Sequence, residues 1–182
     1  MLRLRLYKKC DAAKIIAWCK DEKTYLLWGG ERFGSYPITE DIINTKYFDN
    51  NGDCAEADNF YPMTAFDEDG AVGHFIMRYI KGNNKILRFG WVIVDADKRG
   101  KGYGKEMLRL GLDYAFNILK VDKVTIGVFE NNESAYHCYL SVGFRPSTEL
   151  EDSFEEIMGE TWRIVELEIT REEYLTIKGG KE

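Results

Sequence analysis

Apolar and polar residues alternate at the start of the chain, and this period-two pattern predicts a β-strand over residues 2–7. The spacing then becomes helical, with Asp11 as the predicted N-cap of the first helix. A glycine-rich loop is predicted at residues 28–37, and Thr39 is predicted to cap a second, short helix. The first quarter of the chain thus predicts one strand followed by helices and loops.

Three strand-like runs follow, and the short turns between them predict an antiparallel meander over residues 59–95. Residues 104–120 carry apolar side chains at helical spacing, and a further strand, a helix ending at Gly143 and a last strand at residues 162–170 come after them. The acidic segment 147–160 is predicted to be a loop. A helix between two strands favours a parallel pair, so the predicted fold class is mixed α/β (α+β), a mostly antiparallel sheet flanked by helices.

The length of 182 residues predicts a single domain over residues 1–182. The net charge of −6 argues against nucleic acid as a partner, because duplex binding depends on a basic face. No apolar run approaches the ~20 residues of a membrane span, and no signal peptide is seen, so we expect a cytoplasmic protein without membrane contact. The four cysteines lack zinc-type spacing and there are only two histidines, so no metal site is predicted.

The stretch "DKRGKGYGKEML" at residues 97–108 has three glycines and four cations, which favours an anionic ligand. It fails the Walker A pattern, because Gly104-Lys105 is followed by Glu106, and it fails the GxGxxG dinucleotide pattern. It fits Arg-x-x-Gly-x-Gly between a strand and a helix. Glycines allow close backbone approach and a helix start offers unpaired N–H groups, so a pyrophosphate suits this loop; a turn with solvated cations is the alternative.

A second motif, Asn-x-x-Ala-x-x-x-Tyr-x-x-x-Gly-Phe, runs over residues 132–144. Together with the glycine loop, in this order, it resembles the GNAT superfamily of acyl-CoA N-acyltransferases, in the branch that includes ribosomal-protein acetyltransferases and small-molecule relatives. The resemblance implies a GNAT fold with a splayed parallel strand pair and an enzyme that uses acetyl-CoA as cosubstrate and an amine as acceptor.

The resemblance also implies roles for particular residues. The backbone of the strand before the loop would pair with the pantetheine arm, the loop would hold the pyrophosphate, Asn132 would contact the cofactor, and Tyr139 would stand near the thioester sulfur. The implied cofactor-binding residues are Val92, Ile93, Val94, Arg99, Gly100, Lys101, Gly102, Tyr103, Gly104, Lys105, Asn132 and Tyr139.

In the implied reaction a neutral amine attacks the acetyl carbonyl, the backbone N–H of Val92 stabilises the oxyanion, and Tyr139 is the general acid. No covalent intermediate is needed, so Cys138 is interpreted as a bystander. Some relatives have an acid where this chain has Gly127, so the base must come from elsewhere. Four carboxylates are candidates, each of which could equally be a solvated surface group: Glu56, Asp58, Glu130 and Glu133.

Aromatic and acidic residues in the implied acceptor region suit a small cationic amine, and they equally suit a plain core with a solvated rim. The aromatic residues are Trp28, Phe33, Tyr36, Phe60, Tyr61 and Trp162, and the acids are Asp53, Glu56 and Asp58. A protein or peptide N-terminal acetyltransferase, or a non-catalytic acyl-CoA-binding module, remains an alternative. The chain is expected to be a monomer or a homodimer.

Overall fold

The computed structural model describes residues 1–80 and 82–180. Its strands are β1 (Arg3–Leu6), β2 (Tyr61–Asp67), β3 (Gly70–Ile80), β4 (Asn83–Val94), β5 (Lys123–Phe129), β6 (Arg145–Pro146), β7 (Ser153–Ile157) and β8 (Glu160–Thr170). Its helices are α1 (Asp11–Trp18), α2 (Glu22–Leu27), α3 (Glu40–Asn44), α4 (Tyr103–Asp113), α5 (Glu133–Ser141) and α6 (Arg171–Gly179). Short π-helical turns extend α3 and α4, over Thr45–Asp49 and Tyr114–Ile118.

The chain forms two compact units. The first consists of Met1–Arg78 and Gly90–Met107, and the second of Tyr79–Phe89 and Leu108–Glu182, apart from Lys81 and the last two residues, which lie outside the described part of the chain. The single domain expected from the length stays a prediction.

In the first unit, β1 pairs antiparallel with β2, and β2 pairs antiparallel with β3. In the second unit, residues 86–89 of β4 pair in parallel with residues 123–126 of β5. There β5 pairs antiparallel with β8, which also pairs with β6 and β7. The predicted fold class, a mostly antiparallel mixed sheet with one parallel pair and flanking helices, is confirmed.

The prediction that Asp11 caps the first helix is wrong. Cys10 is the N-cap residue, and Asp11 is the first residue of α1, buried with 4% exposure. Its carboxylate accepts hydrogen bonds from both guanidinium nitrogens of Arg5, at 2.7 and 2.8 Å, and from the Thr64 hydroxyl at 2.8 Å. Burial alone would raise the pKa of Asp11, but these hydrogen bonds outweigh it and lower the pKa. Asp11 therefore joins α1 to β1 and β2.

The segment 147–160 is not a loop throughout, because it contains β7. A two-residue turn with positive φ at Met158 (54°) and Gly159 (75°) joins β7 to β8. Such a turn matches the twist of a hairpin, although it usually carries Asn or Asp with Gly. Of the β7 residues only Ile157 is buried, so the strand lacks the alternating pattern that would have revealed it.

The core of the first unit contains a buried histidine. His74 has no exposed surface, and its Nε2 lies 2.8 Å from the Tyr47 hydroxyl in a hydrogen bond. Burial lowers the pKa of His74 from 6.5 to about 3. His74 is therefore neutral in the folded protein over the whole range in which an exposed histidine takes up a proton.

We expect this histidine to make folding stability depend on pH between about 6.5 and about 3. Below pH 6.5 the unfolded chain binds a proton at His74 and the folded chain does not, so the free energy of unfolding falls as the pH falls. The slope from one such group is at most about 1.4 kcal/mol per pH unit. Urea unfolding at pH 7, 6 and 5 would measure it.

The variant His74→Gln should lose this slope, whatever its absolute stability, and His137→Gln is the matched control. His137 is the other of the two histidines and is exposed, so its removal should leave the slope unchanged. Equal slopes in wild type and His74→Gln would contradict the expectation.

Candidate active site

The glycine loop lies between the end of β4 and the start of α4. A short 3₁₀ turn at Ala96–Lys98 precedes it, and the Glu106 amide donates to Gly102 O at 3.0 Å in the first turn of the helix. Gly100 and Gly102 have φ values of 74° and 88°, which L-residues adopt only with strain. No atom lies within 4 Å of a Cβ built on either glycine, so the side of the loop where a side chain would project is open. An anion could therefore approach the backbone closely.

The cations around the loop have different partners. Lys98 Nζ lies 3.1 Å from Asp67 Oδ2 and 3.2 Å from Asp69 Oδ2, so its charge is balanced inside the protein. Arg99 Nε–H donates to Val94 O at 3.1 Å, and Lys101 Nζ donates to Asp97 O at 2.9 Å. The hydrogen bonds of Arg99 and Lys101 go to neutral carbonyl oxygens, and their positive charges act on Asp21 and Asp97 only through space.

Tyr103, the first residue of α4, is anchored to β2. Its hydroxyl donates to Asp67 Oδ2 at 2.9 Å, the same carboxylate that receives Lys98. Burial alone would raise the pKa of Asp67, but the hydrogen bonds from Lys98 and Tyr103 lower it. The ionised Asp67 of β2 thus binds both Tyr103, at the start of α4, and Lys98, at the end of the 3₁₀ turn.

The strand β4 has an irregular backbone next to the loop. Trp91 has φ of 46°, a left-handed conformation that costs about 1–3 kcal/mol for a residue with a side chain. The parallel pairing with β5 covers residues 86–89, and Trp91 follows two residues after its end. The residues that come immediately after Trp91 are Val92, Ile93 and Val94, the predicted backbone contacts of the pantetheine arm.

Asn132 and Tyr139 lie on the helix α5 of the second unit. Asn132 is the N-cap, and its side-chain oxygen accepts from the Ala135 amide at 3.3 Å. Tyr139 is buried with 6% exposure, and its ring centroid lies 6.3 Å from that of Phe144. Burial, with a smaller contribution from the Cys138 thiol, raises the pKa of Tyr139. The hydroxyl therefore stays protonated well beyond neutral pH.

An ion pair covers Gly127 of β5. Arg88 donates to Glu166 through both guanidinium nitrogens, at 2.7 and 2.9 Å. A Cβ built on Gly127 would lie 2.6 Å from an Arg88 nitrogen and 3.3 Å from Glu166 Oε1. Glycine at this position therefore leaves room for a bidentate pair between side chains of β4 and β8.

A cleft of about 610 Å³ lies in the second unit, beside the start of α5. Its lining includes five carboxylates, of Glu130, Glu133, Glu151, Asp152 and Glu166, and one guanidinium, of Arg163. Arg163 pairs with Glu130 at 3.0 Å and with Asp152 at 2.6 Å, and Arg88 pairs with Glu166, so two guanidinium groups offset only part of this charge. A hydrogen bond from the Glu166 amide, followed by the contact with Arg163, lowers the pKa of Asp152. The cleft is therefore acidic at neutral pH.

Residues 1–145 match the family described as the acetyltransferase (GNAT) domain. This match covers far more than half of the chain and includes both the glycine loop and the helix with Tyr139. The chain belongs to the GNAT acetyltransferase family. The predicted family and the predicted acetyl-CoA-dependent N-acetyltransferase activity toward a primary amine are thereby confirmed.

Curated relatives of this GNAT enzyme include two polyamine acetyltransferases. Spermidine N(1)-acetyltransferase of Vibrio cholerae is 25% identical over 153 residues, 84% of each chain. The spermine/spermidine N(1)-acetyltransferase of Bacillus subtilis is 32% identical over 65 residues, which cover 36% of this chain and 43% of that protein.

Solved structures support the GNAT fold. Vibrio cholerae spermidine N-acetyltransferase in complex with CoA and spermine gives a TM-score of 0.77 at 22% identity, covering 96% of this chain and 98% of the other. An aminoglycoside acetyltransferase in complex with coenzyme A gives a TM-score of 0.74 at 18% identity, covering 98% and 99%. At these identities the likeness establishes the fold alone.

Most of the aromatic residues that were expected to face the acceptor are buried or pack against buried residues. Trp28 and Phe33 are buried in the core of the first unit, and Tyr36 and Phe60 pack against that core. In the second unit Trp162 is also buried, with 6% exposure. The sequence left open whether these aromatic residues form an acceptor site or a plain core, and the surroundings of most of them are those of a core.

The acids considered as bases or acceptor contacts are distributed over both units. In the first unit Asp53 forms an ion pair with Lys46, Glu56 accepts from the Asn59 amide at 3.2 Å, and Asp58 is exposed. In the second unit Glu130 and Glu133 line the acidic cleft. The sequence did not single out Arg88 and Glu166, although charged residues between buried apolar ones in "LRF" and "VELEI" were a signal for them.

The structure describes residues 1–80 and 82–180 of the chain. None of the helices there combines the length and the apolar character needed to cross a membrane. Within the same residues, no three His, Cys, Asp or Glu side chains converge as metal ligands.

Proposed function

We propose that this GNAT enzyme acetylates a primary amine of a small polycation of the polyamine class. In this proposal the loop at residues 99–105 binds the pyrophosphate of acetyl-CoA, the backbone of residues 92–94 contacts the pantetheine arm, and Asn132 contacts the cosubstrate. The Val92 N–H stabilises the oxyanion and Tyr139 is the general acid.

The loop geometry supports the pyrophosphate assignment. Two glycines with positive φ and no neighbouring atoms on their Cβ side leave the backbone accessible at the start of an 11-residue helix. The N–H groups of a first helical turn have no intrahelical partner and lie at the positive end of the helix dipole. Arg99 and Lys101 add charge that no carboxylate contact offsets in the hydrogen bonds described above. A doubly charged diphosphate fits these features better than a neutral ligand.

The acidic cleft is the observation that carries the proposed acceptor. Its lining carries five carboxylates, three of which pair with Arg88 or Arg163, and the remaining negative charge attracts cations and raises their local concentration. Tyr136 also lines the cleft, and Tyr139 follows it by three residues on the same helix, a spacing that places two side chains on neighbouring positions. The polyamine substrates in the names of both curated relatives agree with this chemistry.

The proposed reaction is a direct transfer. The deprotonated amine attacks the thioester carbonyl carbon, the new C–N bond forms, and the carbonyl oxygen takes up negative charge that the Val92 N–H stabilises. The C–S bond then breaks, and the departing CoA thiolate receives the Tyr139 hydroxyl proton. The nitrogen gives up its extra proton to solvent, and a proton from solvent restores the tyrosine.

A substrate panel tests the proposed acceptor. We expect free-thiol release from acetyl-CoA to be faster, in kcat/KM, with spermidine than with peptides that begin with Ala or Ser. Raising the salt from about 0.01 M to 0.15 M shortens the Debye length from about 30 Å to about 8 Å and should reduce that preference. A preference for the neutral peptides without salt dependence would contradict a polyamine acceptor.

Removing two of the cleft charges should raise the KM for spermidine. Glu133 and Glu151 are exposed and line the cleft, so the double variant Glu133→Gln/Glu151→Gln removes charge without opening the core. Exposed ion pairs contribute about 0.2–1 kcal/mol each, so losing two should raise KM roughly twofold to thirtyfold at low salt, with little change in kcat. Glu172→Gln, an exposed residue of α6, is the matched control. An unchanged KM in the double variant would exclude the cleft as the acceptor site.

A further inference from the structure

The carbonyl oxygen of Trp91 has a side-chain partner. The indole Nε1–H of Trp28 donates to it at 2.8 Å, and both residues belong to the first unit. Trp28 is the C-cap residue of α2 and is buried with 5% exposure. A buried indole N–H that ends on one particular carbonyl fixes the direction of that carbonyl.

This carbonyl shares a peptide plane with the amide N–H of Val92. The only cis bond described is Tyr36–Pro37, so the Trp91–Val92 bond is trans and its C=O and N–H point in opposite directions. Fixing the Trp91 carbonyl therefore also fixes the Val92 N–H. The hydrogen bond to the carbonyl also polarises the peptide group and makes the N–H a better donor.

The backbone directions along β4 indicate which edge the Val92 N–H faces. The Asp95 amide donates to Val72 O at 2.8 Å, and a Cβ built on Gly73 would lie 3.1 Å from Ile93 O, so residues 93 and 95 face β3. Polar groups of successive strand residues alternate between the two edges. Val94 O accordingly faces away from β3 and accepts from Arg99, and Val92 lies on that same edge.

Aromatic contacts hold the Trp91 side chain in place. Trp28 stacks on Phe33 with ring centroids 4.8 Å apart, and Phe33 lies 4.7 Å from Trp91. Tyr47 stacks on Trp91 at 5.8 Å with an interplanar angle of 16°. A strained backbone persists only where its surroundings over-determine it, and functional sites are where such strain concentrates. Trp91 meets both conditions next to the proposed oxyanion donor.

We propose that Trp28 is a positioning residue for acetyl transfer, acting through the Trp91 carbonyl to orient the Val92 N–H toward the thioester oxygen. This inference rests on the proposed function, in which that N–H stabilises the oxyanion. Trp28 touches no reacting atom in this proposal. Its indole N–H keeps one peptide plane in the orientation that the reaction needs.

Two replacements of Trp28 test the proposal. Trp28→Phe keeps an aromatic ring and removes the N–H, and Trp28→3-benzothienylalanine keeps the bicyclic shape and replaces only the N–H with sulfur. Losing an oxyanion donor outright costs about 10²–10³ in kcat, so misorienting one should lower kcat by roughly fivefold or more, with the affinity for CoA unchanged. Trp18→Phe removes the same atoms from the same core and should stay within about twofold of wild type.

The carbonyl stretching frequency of bound acetyl-CoA, labelled with ¹³C at the thioester carbonyl, can be measured by infrared spectroscopy. This frequency would not change if Trp28 served only to pack the core. A hydrogen bond to this oxygen lowers its stretching frequency. We expect a lowered frequency in wild type and Trp18→Phe and a shift back toward free acetyl-CoA in both Trp28 variants. The measurement reports only protein that binds acetyl-CoA, and the benzothienyl variant preserves the core shape if the phenylalanine variant is unstable.

The possible outcomes separate the two proposals. If wild type itself shows no lowered frequency, no donor reaches the thioester oxygen and the proposed role of Val92 fails. If wild type shows a lowered carbonyl frequency and the benzothienyl variant has the same frequency and the same kcat, the oxyanion contact stands and the positioning role of Trp28 is overturned.

Discussion

Replacing Tyr139 with phenylalanine is expected to lower kcat by roughly 10²-fold or more, the scale of general acid catalysis. The variant removes one hydroxyl from a buried ring and little volume, so CoA affinity should remain close to the wild-type value. Steady-state kinetics with spermidine, together with calorimetric titration of CoA, would measure both quantities. Such a result would separate a role in the chemical step from a role in binding.

The raised pKa of Tyr139 also predicts how the reaction rate depends on pH. Burial holds the pKa above its ordinary value of 10.0, so the hydroxyl keeps its proton throughout the neutral range. The rate should rise with pH as the attacking amine loses its proton, and no fall due to Tyr139 should appear below pH 10.

Tyr174→Phe is the matched control for the loss of a buried hydroxyl. Tyr174 lies on α6 with 8% exposure, and its hydroxyl donates to Asp113 at 2.7 Å. This variant should lose stability without losing kcat, because it removes a hydrogen bond remote from the proposed chemistry. Wild-type turnover in Tyr139→Phe would make Tyr139 a packing residue and would require another proton donor.

The parts of the enzyme that follow from local sequence were predicted correctly. The strand, glycine loop and helix around residues 92–113 were found because each has its own signal: alternation, glycine spacing and an apolar helical face. The spacing from Asn132 to Tyr139 identified α5 for the same reason. Such signals can be recognised in the sequence because the residues that create them are close together along the chain.

Features that depend on distant partners could not be predicted. Asp is a residue type common at N-caps, but the position of Asp11 is decided by Arg5 and Thr64, which hydrogen-bond to it from two strands. The strand β7 is mostly exposed and is defined by its pairing with β8. Arg88 and Glu166 are 78 residues apart, and only the register of the sheet brings them together over Gly127. Helix α6 is different, because its capping box Thr170-x-x-Glu173 is a local signal that the sequence interpretation overlooked.

Replacing Gly102 with valine is expected to weaken CoA binding at least tenfold, about 1.4 kcal/mol. Gly102 has φ of 88°, where a β-branched residue is strongly disfavoured, so the loop backbone must rearrange. The new side chain also occupies the open side of the loop, where no atom lies within 4 Å of a built Cβ. Both effects prevent an anion from reaching the backbone N–H groups at the start of α4. Calorimetric titration of CoA, and of pantetheine, which lacks the pyrophosphate, would measure the loss of affinity.

Gly159→Val separates this effect from general strain. Gly159 also has a positive φ, 75°, and open space at its Cβ, but it lies in the turn between β7 and β8. Both variants should lose a comparable amount of stability, and only Gly102→Val should lose CoA affinity, because only its loop offers a helix start to the diphosphate. Pantetheine affinity should change little in either variant. A folded Gly102→Val protein that binds CoA as tightly as wild type would remove the pyrophosphate from this loop and leave the glycines with a role in chain reversal alone.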